Sequence, residues 1–175
     1  MTNNNTTPAF TLRPFREGDE ASLVVNANNI KIFNNVKDNF PHPYTFDDAV
    51  WWINVNKENN NPATCFAIDM NGEVIGAIGI ILGSDIQRLT AEIGYWLGEN
   101  YWGKSIATEA LKQMTDYTFQ NFPEIIRLWA AVFEHNKSSM SVLEKAGYEF
   151  EGTRKKGAIK NGVVINEFVY VKFRE

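Results

Sequence analysis

A short segment with glycines at positions 98 and 103, residues 98–105, constrains the fold of this chain more than any other part of the sequence. It follows a strand-like run at residues 91–97 and precedes residues 106–118, where apolar side chains recur at the i, i+3, i+4, i+7 spacing of a helix. A strand that passes through a tight turn into a helix leaves backbone N–H groups without partners at the helix start. Those groups and the positive end of the helix dipole attract phosphate. The segment therefore predicts an α/β fold with an anion site at this turn.

The letters of residues 98–105 also match G-x-x-x-x-G-K-[ST], the phosphate-binding loop of nucleotide hydrolases. Such a loop wraps its phosphates closely, and the bulky Tyr101 and Trp102 do not suit it. Magnesium would need a second carboxylate after an apolar strand, and the best candidate is Glu134, where aspartate is usual. A helix start that binds nothing is a further alternative, but residues 104–108 carry no acid to complement the dipole. Binding of a phosphate-bearing ligand by a protein that is not a nucleotide hydrolase explains the segment better.

The remaining patterns predict one mixed α/β domain over residues 9–175, preceded by a disordered tail at residues 1–8. Asn71-Gly72 favours a tight hairpin between two apolar runs. The predicted strands cover residues 10–13, 64–69, 74–82, 90–97, 126–133, 148–155 and 163–173. The predicted helices cover residues 20–29, a segment from Thr45 to before residues 59–62, residues 106–118 and residues 137–146.

Composition and charge exclude several functional classes. The formal net charge of -4 argues against direct nucleic-acid binding, and the basic cluster at residues 154–160 is better explained as a solvated hairpin rim. Cys65 is the only cysteine, so no intramolecular disulfide and no cysteine-rich metal site is expected. No run approaches ~18 apolar residues, and the first residues carry no secretory signal. We therefore expect no membrane association and a cytoplasmic location.

Four segments, in this order, resemble the GNAT superfamily of N-acetyltransferases and, within it, the RimJ/RimL-like branch. They are residues 12–14, 43–49, 92–111 and 136–148. Four ordered segments are more specific than one phosphate motif. The resemblance implies a central, mostly antiparallel sheet of about seven strands, with a V-shaped splay between strands 4 and 5 and about four flanking helices. It also implies acetyl-CoA as the acetyl donor and no metal.

The resemblance assigns cofactor-binding residues along the strand, the turn and a later helix start. The family motif [RQ]-x-x-G-x-[GA] aligns with residues 102–107, where Trp102 departs from the usual first residue and Ser105 replaces a glycine. Asn136 would hydrogen-bond the cofactor near its pantetheine end, or would only cap the helix that follows it. The backbone of Trp96 and Leu97 would pair with the pantetheine arm, and amides at Gly103, Lys104, Ser105, Ile106 and Ala107 would hold the pyrophosphate.

The resemblance further implies that an amine attacks the thioester directly in a ternary complex. Glu92 is the first candidate for the base, and a solvated strand residue is an equally good interpretation of it. Many relatives place a tyrosine seven residues after the asparagine, but here that position is Leu143. Ser139, also a cofactor contact, is instead the candidate that hydrogen-bonds the leaving thiolate. Its alternative role is in the capping of the helix.

The acceptor side is expected to include Phe40 and Tyr44. The resemblance adds Asn166 or Glu167 on the final strand, where relatives place acidic or polar groups on the substrate side. The acceptor is a primary amine, either a protein N-terminus or a small molecule. A catalytically weak acyl-CoA-binding or ribosome-associated module on the same fold is the main alternative function, ahead of a nucleotide hydrolase. A homodimer is common among similar proteins and is compatible with this sequence.

Overall fold

The structure, a computed structural model, describes residues 7–57 and 61–175. Most of the predicted tail, residues 1–6, therefore lies outside the described residues. The five α-helices of the described part are α1 (Glu20–Ala27), α2 (Ile30–Phe33), α3 (Phe46–Lys57), α4 (Ile106–Asn121) and α5 (Lys137–Lys145). Its strands are β1 (Thr11–Arg13), β2 (Cys65–Met70), β3 (Glu73–Leu82), β4 (Thr90–Leu97), β5 (Arg127–Phe133), β6 (Glu149–Lys160) and β7 (Val163–Phe173).

The strands form one seven-stranded sheet in the order β1-β2-β3-β4-β5-β7-β6. Every neighbouring pair is antiparallel except β4 and β5, which run parallel. That parallel pairing covers only three residues of each strand and ends where Glu92 lies opposite Trp129. Beyond this point β4 and β5 diverge. The predicted mostly antiparallel sheet, with a V-shaped splay between its fourth and fifth strands, is confirmed.

The differences from the predicted elements have local causes. Helix α2 is a fifth helix that the sequence patterns did not predict, because a single turn is too short to show a helical period. Asn29 caps it by accepting a hydrogen bond from the Lys31 N–H at 2.8 Å. Strand β6 continues beyond the predicted residue 155 through a register shift between Arg154 and Ala158, in the manner of a β-bulge.

Short-range signals produce the expected turns and helix ends. Asn71 and Gly72 have φ of 57° and 89°, the left-handed pair that a two-residue hairpin requires. Thr45 and Asp48 form a reciprocal cap at the start of α3, where the Asp48 carboxylate accepts from the Thr45 N–H at 2.8 Å. These turns place β2, β3 and β4 side by side.

Two hydrophobic clusters cover opposite faces of the sheet. One joins α4 and α5 to side chains such as Ile93 on β4 and Leu128 on β5. The other joins α1 and α3 to β3 residues such as Ala77, with Trp96 of β4 packed against it. Side chains alternate between faces along a strand, so Ile93, Tyr95 and Leu97 face α4 and α5. Glu92, Gly94 and Trp96 face the other side.

Over residues 7–57 and 61–175, none of the helices has the length and apolar character needed to cross a membrane.

Candidate active site

The turn between β4 and α4 presents an open row of backbone groups. A single 3₁₀ turn, Glu99–Tyr101, leads into residues 102–105, all of which are exposed. Gly103 has a φ of 73°, and no atom lies within 4 Å of the position that a Cβ would take. The first N–H groups of α4 have no acceptor inside the helix. This arrangement can bind an anion through backbone amides, as the segment predicts.

Ser105 occupies the N-cap position of α4 in the left-handed region, with φ 61° and ψ 3°. Glycine adopts this conformation readily, whereas a residue with a Cβ pays about 1 kcal/mol or more. The conformation explains why the family motif has glycine at this position. The Ser105 side chain makes no capping hydrogen bond to the helix. Its hydroxyl therefore remains available to a ligand at the turn.

Lys104 and Trp102 flank the exposed amides in different ways. The Lys104 ammonium lies 5.6 Å from the centre of the Tyr101 ring, which keeps a positive charge beside the turn. The Trp102 indole N–H donates to the Leu97 carbonyl at 2.6 Å and ties the turn to the end of β4. Trp102, which departs from the family motif, thus has a structural contact of its own.

The edge of β4 that faces the gap can be identified from its pairing with β3. The Gly98 N–H donates to Ile75 at one end of the pairing, and the Gly83 N–H donates to Thr90 at the other, both at 2.8 Å. Hydrogen-bonded and non-hydrogen-bonded pairs alternate between these ends. The N–H and C=O groups of Trp96 therefore point to β3, whereas those of Tyr95 and Leu97 point to the gap.

This register changes the predicted pantetheine contact. The backbone of Trp96 is used by β3, so it is not free to pair with a ligand in the gap. The backbone groups that are free at the gap are the N–H and C=O of Tyr95 and the N–H of Leu97, because the Leu97 C=O already accepts from Trp102. The strand edge that faces the gap is therefore formed by residues 95 and 97, and contact of a pantetheine arm with this strand stays a prediction.

Two hydroxyl groups meet on the α5 side of the gap. The Tyr95 hydroxyl lies 2.9 Å from Ser139 Oγ, and the Ser139 N–H donates to Asn136 Oδ1 at 3.1 Å. Burial raises the pKa of Tyr95 to about 12, so its phenol stays neutral and can donate. Asn136 caps α5, the alternative role that the sequence suggested for it. Its side-chain amide nitrogen has no hydrogen-bond partner among the residues that the structure describes.

Sequence reasoning missed Tyr95 as a site residue. Its strand position was known, but only the face to which it points shows that its side chain reaches α5. A one-residue difference in phase moves a side chain to the opposite face of a sheet. Tyr95 therefore contributes twice to the gap, with its backbone at the strand edge and with its hydroxyl beside Ser139.

Glu92 lies on the other face of the sheet, at the apex of the splay. Its side chain is 19% exposed, and its two oxygens lie 2.7 and 2.9 Å from the Lys37 ammonium. Trp129 of β5 lies opposite Glu92 in the parallel pairing. The Arg154 guanidinium lies over the Trp129 ring, 4.6 Å from the ring centre. Glu167 of β7 lies 3.9 Å from Arg154 and faces the same side. We call this surface, formed by Glu92, Trp129, Arg154 and Glu167, the open face.

Phe40 and Tyr44 are packed rather than free. Phe40 makes an edge contact with Trp96 at 5.7 Å between ring centres, and its ring also lies 5.2 Å from that of Tyr44. Tyr44 is 5% exposed, and burial raises its pKa to about 12. Phe40 borders the open face through Trp96, whereas Tyr44 mainly supports the core below it.

Asn166 is held inside the chain by hydrogen bonds. Its backbone N–H and side-chain amide donate to the two Glu134 oxygens at 3.0 and 2.9 Å, and its Oδ1 accepts from the Lys156 N–H at 2.8 Å. Hydrogen bonds from Asn166 lower the pKa of Glu134. Because these polar side-chain atoms are already used, the predicted substrate contact fits Glu167 better than Asn166.

Among the described residues, no group of three or more His, Cys, Asp or Glu side chains is arranged to hold a metal ion. The groups that border the gap are hydroxyl groups, carboxylates and backbone amides. A turn of exposed amides leads along a free strand edge to two hydroxyl groups on one face and a carboxylate on the other.

Comparisons with known proteins agree with this geometry. The family model described as an acetyltransferase (GNAT) domain matches residues 9–149. This match covers most of the chain, which therefore belongs to the GNAT acetyltransferase family. The chain is 45% identical over 74 residues to the probable N-acetyltransferase YjcK of Bacillus subtilis (strain 168). The aligned residues make up 42% of this chain and 40% of that protein. Its matches to four Bacillus relatives span about half of their length, 40–58%.

Solved structures share the whole fold. Microcin C7 self-immunity acetyltransferase MccE, in complex with acetyl-CoA and AMP, is 26% identical with a TM-score of 0.79, covering 94% of this chain and 92% of that one. RimJ of Mycobacterium smegmatis, in complex with a CoA-disulfide, is 22% identical with a TM-score of 0.81, covering 95% and 83%. The predicted GNAT family is confirmed, and RimJ and RimL proteins are among the structural neighbours that share its fold.

Proposed function

We propose that this protein is an acetyl-CoA-dependent N-acetyltransferase that moves an acetyl group to a primary amine. The observation that carries the proposal is the gap between β4 and β5. It runs from the exposed amides of the turn before α4 to the Glu92 carboxylate, with a free strand edge between them. The acetyl-CoA bound by the similar protein MccE supports the choice of donor.

The cofactor fits this gap from one end to the other. Amides at Gly103, Ser105 and their neighbours bind the pyrophosphate, and Lys104 adds positive charge. From Leu97 back to Glu92 the strand advances by five residue steps, about 17 Å at ~3.3 Å per residue. An extended pantetheine arm pairs with Tyr95 and Leu97 over this length. Its thioester then lies near the apex of the splay, between Ser139 and the open face.

The open face supplies the base. A primary amine is protonated at neutral pH and must lose a proton before it can attack. Glu92 accepts this proton, directly or through a water molecule, as a general base. The neutral amine then attacks the thioester carbonyl in a ternary complex. A new N–C bond forms, the C–S bond breaks, and the electron pair leaves on sulfur.

The hydroxyl pair on the α5 side stabilises the leaving group. The Ser139 hydroxyl donates a hydrogen bond to the developing thiolate. Tyr95 in turn donates to Ser139 Oγ over the 2.9 Å contact and orients it. A serine hydroxyl is a weak acid, so its role is a hydrogen bond, and the proton that ends on sulfur comes from the amine.

The acceptor is an amine that is cationic before it reacts. Glu92 and Glu167 give the open face two carboxylates, and Arg154 offsets part of that charge. A protein N-terminus and a small-molecule amine both meet this requirement. The cytoplasmic location and the homodimer stay predictions.

A non-catalytic acyl-CoA-binding module is the second candidate. The observation that favours it is the Lys37–Glu92 ion pair, which occupies the candidate base. This alternative predicts acetyl-CoA binding without release of CoA thiol, whatever amine is supplied. The nucleotide-hydrolase alternative predicts binding of Mg-ATP.

A thermal-shift comparison followed by a thiol-release assay tests the proposal. A ligand at about 100 Kd that binds only the native state adds ~2.7 kcal/mol to its stability. We expect acetyl-CoA, and not Mg-ATP, to raise the Tm. We then expect a panel of amines and peptide N-termini to release CoA thiol. No shift with acetyl-CoA would reject the proposal, and a shift without turnover would support the binding module.

A further inference from the structure

The Lys37 ammonium occupies the position where the proposed mechanism places the acceptor amine. It lies 2.7 Å from one Glu92 oxygen and 2.9 Å from the other. Lys37 and Glu92 are 55 residues apart in the chain, so the contact is built by the fold and not by local sequence. Chemically, the lysine presents what an external acceptor presents, a primary ammonium group against the candidate base.

The Lys160–Asp38 ion pair, which we call the clasp, fixes the segment that carries Lys37 over the open face. Lys37 belongs to the segment between α2 and α3, residues 34–45, which we call the Lys37 loop. Lys160, at the end of β6, is only 4% exposed and donates to Asp38 of this loop at 2.6 Å. The Lys160 ammonium also lies 3.7 Å from the centre of the Phe33 ring. The loop is therefore fixed directly beside Lys37.

A second set of contacts secures the start of the same loop. Asn161 donates through its side-chain amide to Asn34 Oδ1 at 2.9 Å. His135, which follows β5, lies 3.3 Å from the Asn34 carbonyl through its Nε2. The end of the β6–β7 hairpin and the end of β5 thus both contact the loop, and they border the same face as Glu92.

We propose that Lys37 is an internal acceptor, and that the protein acetylates the Lys37 side chain when no free amine competes for Glu92. This inference rests on the proposed N-acetyltransferase function. Glu92 takes one proton from the ammonium, and the Nζ lone pair attacks the thioester carbonyl. The N–C bond forms, the C–S bond breaks, and a second proton from nitrogen ends on the thiolate. The products are acetyl-lysine, CoA thiol and one released proton.

The acetylated Lys37 side chain no longer forms an ion pair with Glu92. Acetylation removes the positive charge of a lysine, so the Lys37–Glu92 ion pair is lost. A free amine and Lys37 compete for the same carboxylate, so each suppresses the reaction of the other. Self-acetylation is therefore fastest without an added acceptor.

Lys31 is a matched reference within the same protein. Its side chain is 61% exposed against 57% for Lys37, and it also pairs with a glutamate, Glu99. Glu99 lies in the turn after β4 and not at the apex of the splay. Uncatalysed acetylation by acetyl-CoA would modify both lysines at similar rates. Only Lys37 faces the candidate base.

The experiment is a time course of the full chain with acetyl-CoA, read by peptide mass spectrometry. A positioned general base contributes on the order of 10²–10⁴-fold to a rate, so we expect Lys37 to react roughly 100-fold faster than Lys31. The rate constant should not depend on protein concentration, because the reaction is intramolecular. Glu92→Gln should reduce the Lys37 rate to that of Lys31. Equal rates at the two lysines, or a Lys37 rate unaffected by Glu92→Gln, would overturn the inference.

Two further variants separate this inference from the proposed function. Asp38→Asn weakens the clasp without touching Lys37 or Glu92, and we expect it to slow self-acetylation several-fold. Lys37→Arg removes the internal acceptor. If Lys37→Arg acetylates free amines while Lys37 of the unmodified chain stays unreacted, the inference fails and the function stands. If neither protein binds acetyl-CoA, both fail.

Discussion

The two sides of the splayed sheet differ in how they are built. The cofactor side consists of β4, the turn after it and the starts of α4 and α5, and consecutive residues supply most of its contacts. The open face and the Lys37 loop are assembled from residues far apart in sequence. Asp38 and Lys160 are 122 residues apart, and Asn34 and Asn161 are 127 apart. In the proposed function a local motif therefore binds the donor, and tertiary contacts shape the acceptor site.

The largest expected effect lies on the acceptor side. Glu92→Gln keeps the size of the side chain but removes the base, so kcat/KM for amines should fall about 10²–10⁴-fold. The dissociation constant for acetyl-CoA should stay within about twofold, because the proposed cofactor contacts are backbone groups of Tyr95, Leu97 and the turn before α4 and not the Glu92 side chain. Steady-state kinetics together with calorimetric titration measure both. A parallel loss of cofactor binding would show that the two sides are not separable.

Tyr95→Phe tests the hydroxyl pair on the cofactor side. A single hydrogen bond contributes about 0.5–1.5 kcal/mol, so kcat should fall roughly fivefold while the affinity for acetyl-CoA changes little. Tyr148→Phe is the matched control, because Tyr148 is a buried tyrosine that bonds a hydroxyl, Thr115 Oγ1, at 2.7 Å. The two variants should lose similar stability, and only Tyr95→Phe should lower kcat. Equal kcat values in the two variants would remove Tyr95 from the mechanism.

Trp102→Phe tests the contact between the turn and the strand. The phenyl ring keeps most of the apolar contact but loses the indole N–H that donates to Leu97 O. With a loss of about 1 kcal/mol, the dissociation constant for acetyl-CoA should rise roughly fivefold and kcat should change little. Titration of the variant with acetyl-CoA provides the measurement. An unchanged affinity would mean that Trp102 does not organise the cofactor side.

The smallest expected effect is a gain in stability at Ser105. Its left-handed backbone costs about 1 kcal/mol relative to glycine, so Ser105→Gly should raise the Tm by ~2–4 °C in a chain of this size. Ser105→Ala keeps the strain and removes only the hydroxyl. Comparing the affinities of these two variants for acetyl-CoA shows whether the hydroxyl contributes. A lower Tm for Ser105→Gly would contradict the strain argument.

Sequence patterns identified the cofactor side because its signals are local. The cap at Asn136 and the helical period after Ser105 each depend on neighbouring residues. The sequence alone does not show which residues form the strand edge at the gap. A one-residue change of strand phase decides whether the backbone groups of Tyr95 or those of Trp96 face the gap. Only the pairing with β3 determines that phase. The predicted splay was recognised through the family resemblance.

The acceptor side was harder to predict for the same physical reason. No local pattern connects Lys37 with Glu92, or Lys160 with Asp38, because these ion pairs join the loop between α2 and α3 to β4 and to the end of β6. Asn166 was selected because relatives place polar groups on the final strand, and its hydrogen bond to Glu134 was not visible in the sequence. Glu92 itself was found because it lies on the strand that carries the strongest motif.

Amide hydrogen exchange along β4, measured with and without acetyl-CoA, tests the central claim most directly. Trp96 and Gly94 already donate to β3, so their exchange should be slow in both states. Tyr95 and Leu97 should exchange readily in the free protein and become protected when the pantetheine arm pairs with them. Mg-ATP should protect neither. Tyr95 and Leu97 amides that stay unprotected at saturating acetyl-CoA would contradict the placement of the cofactor in the gap.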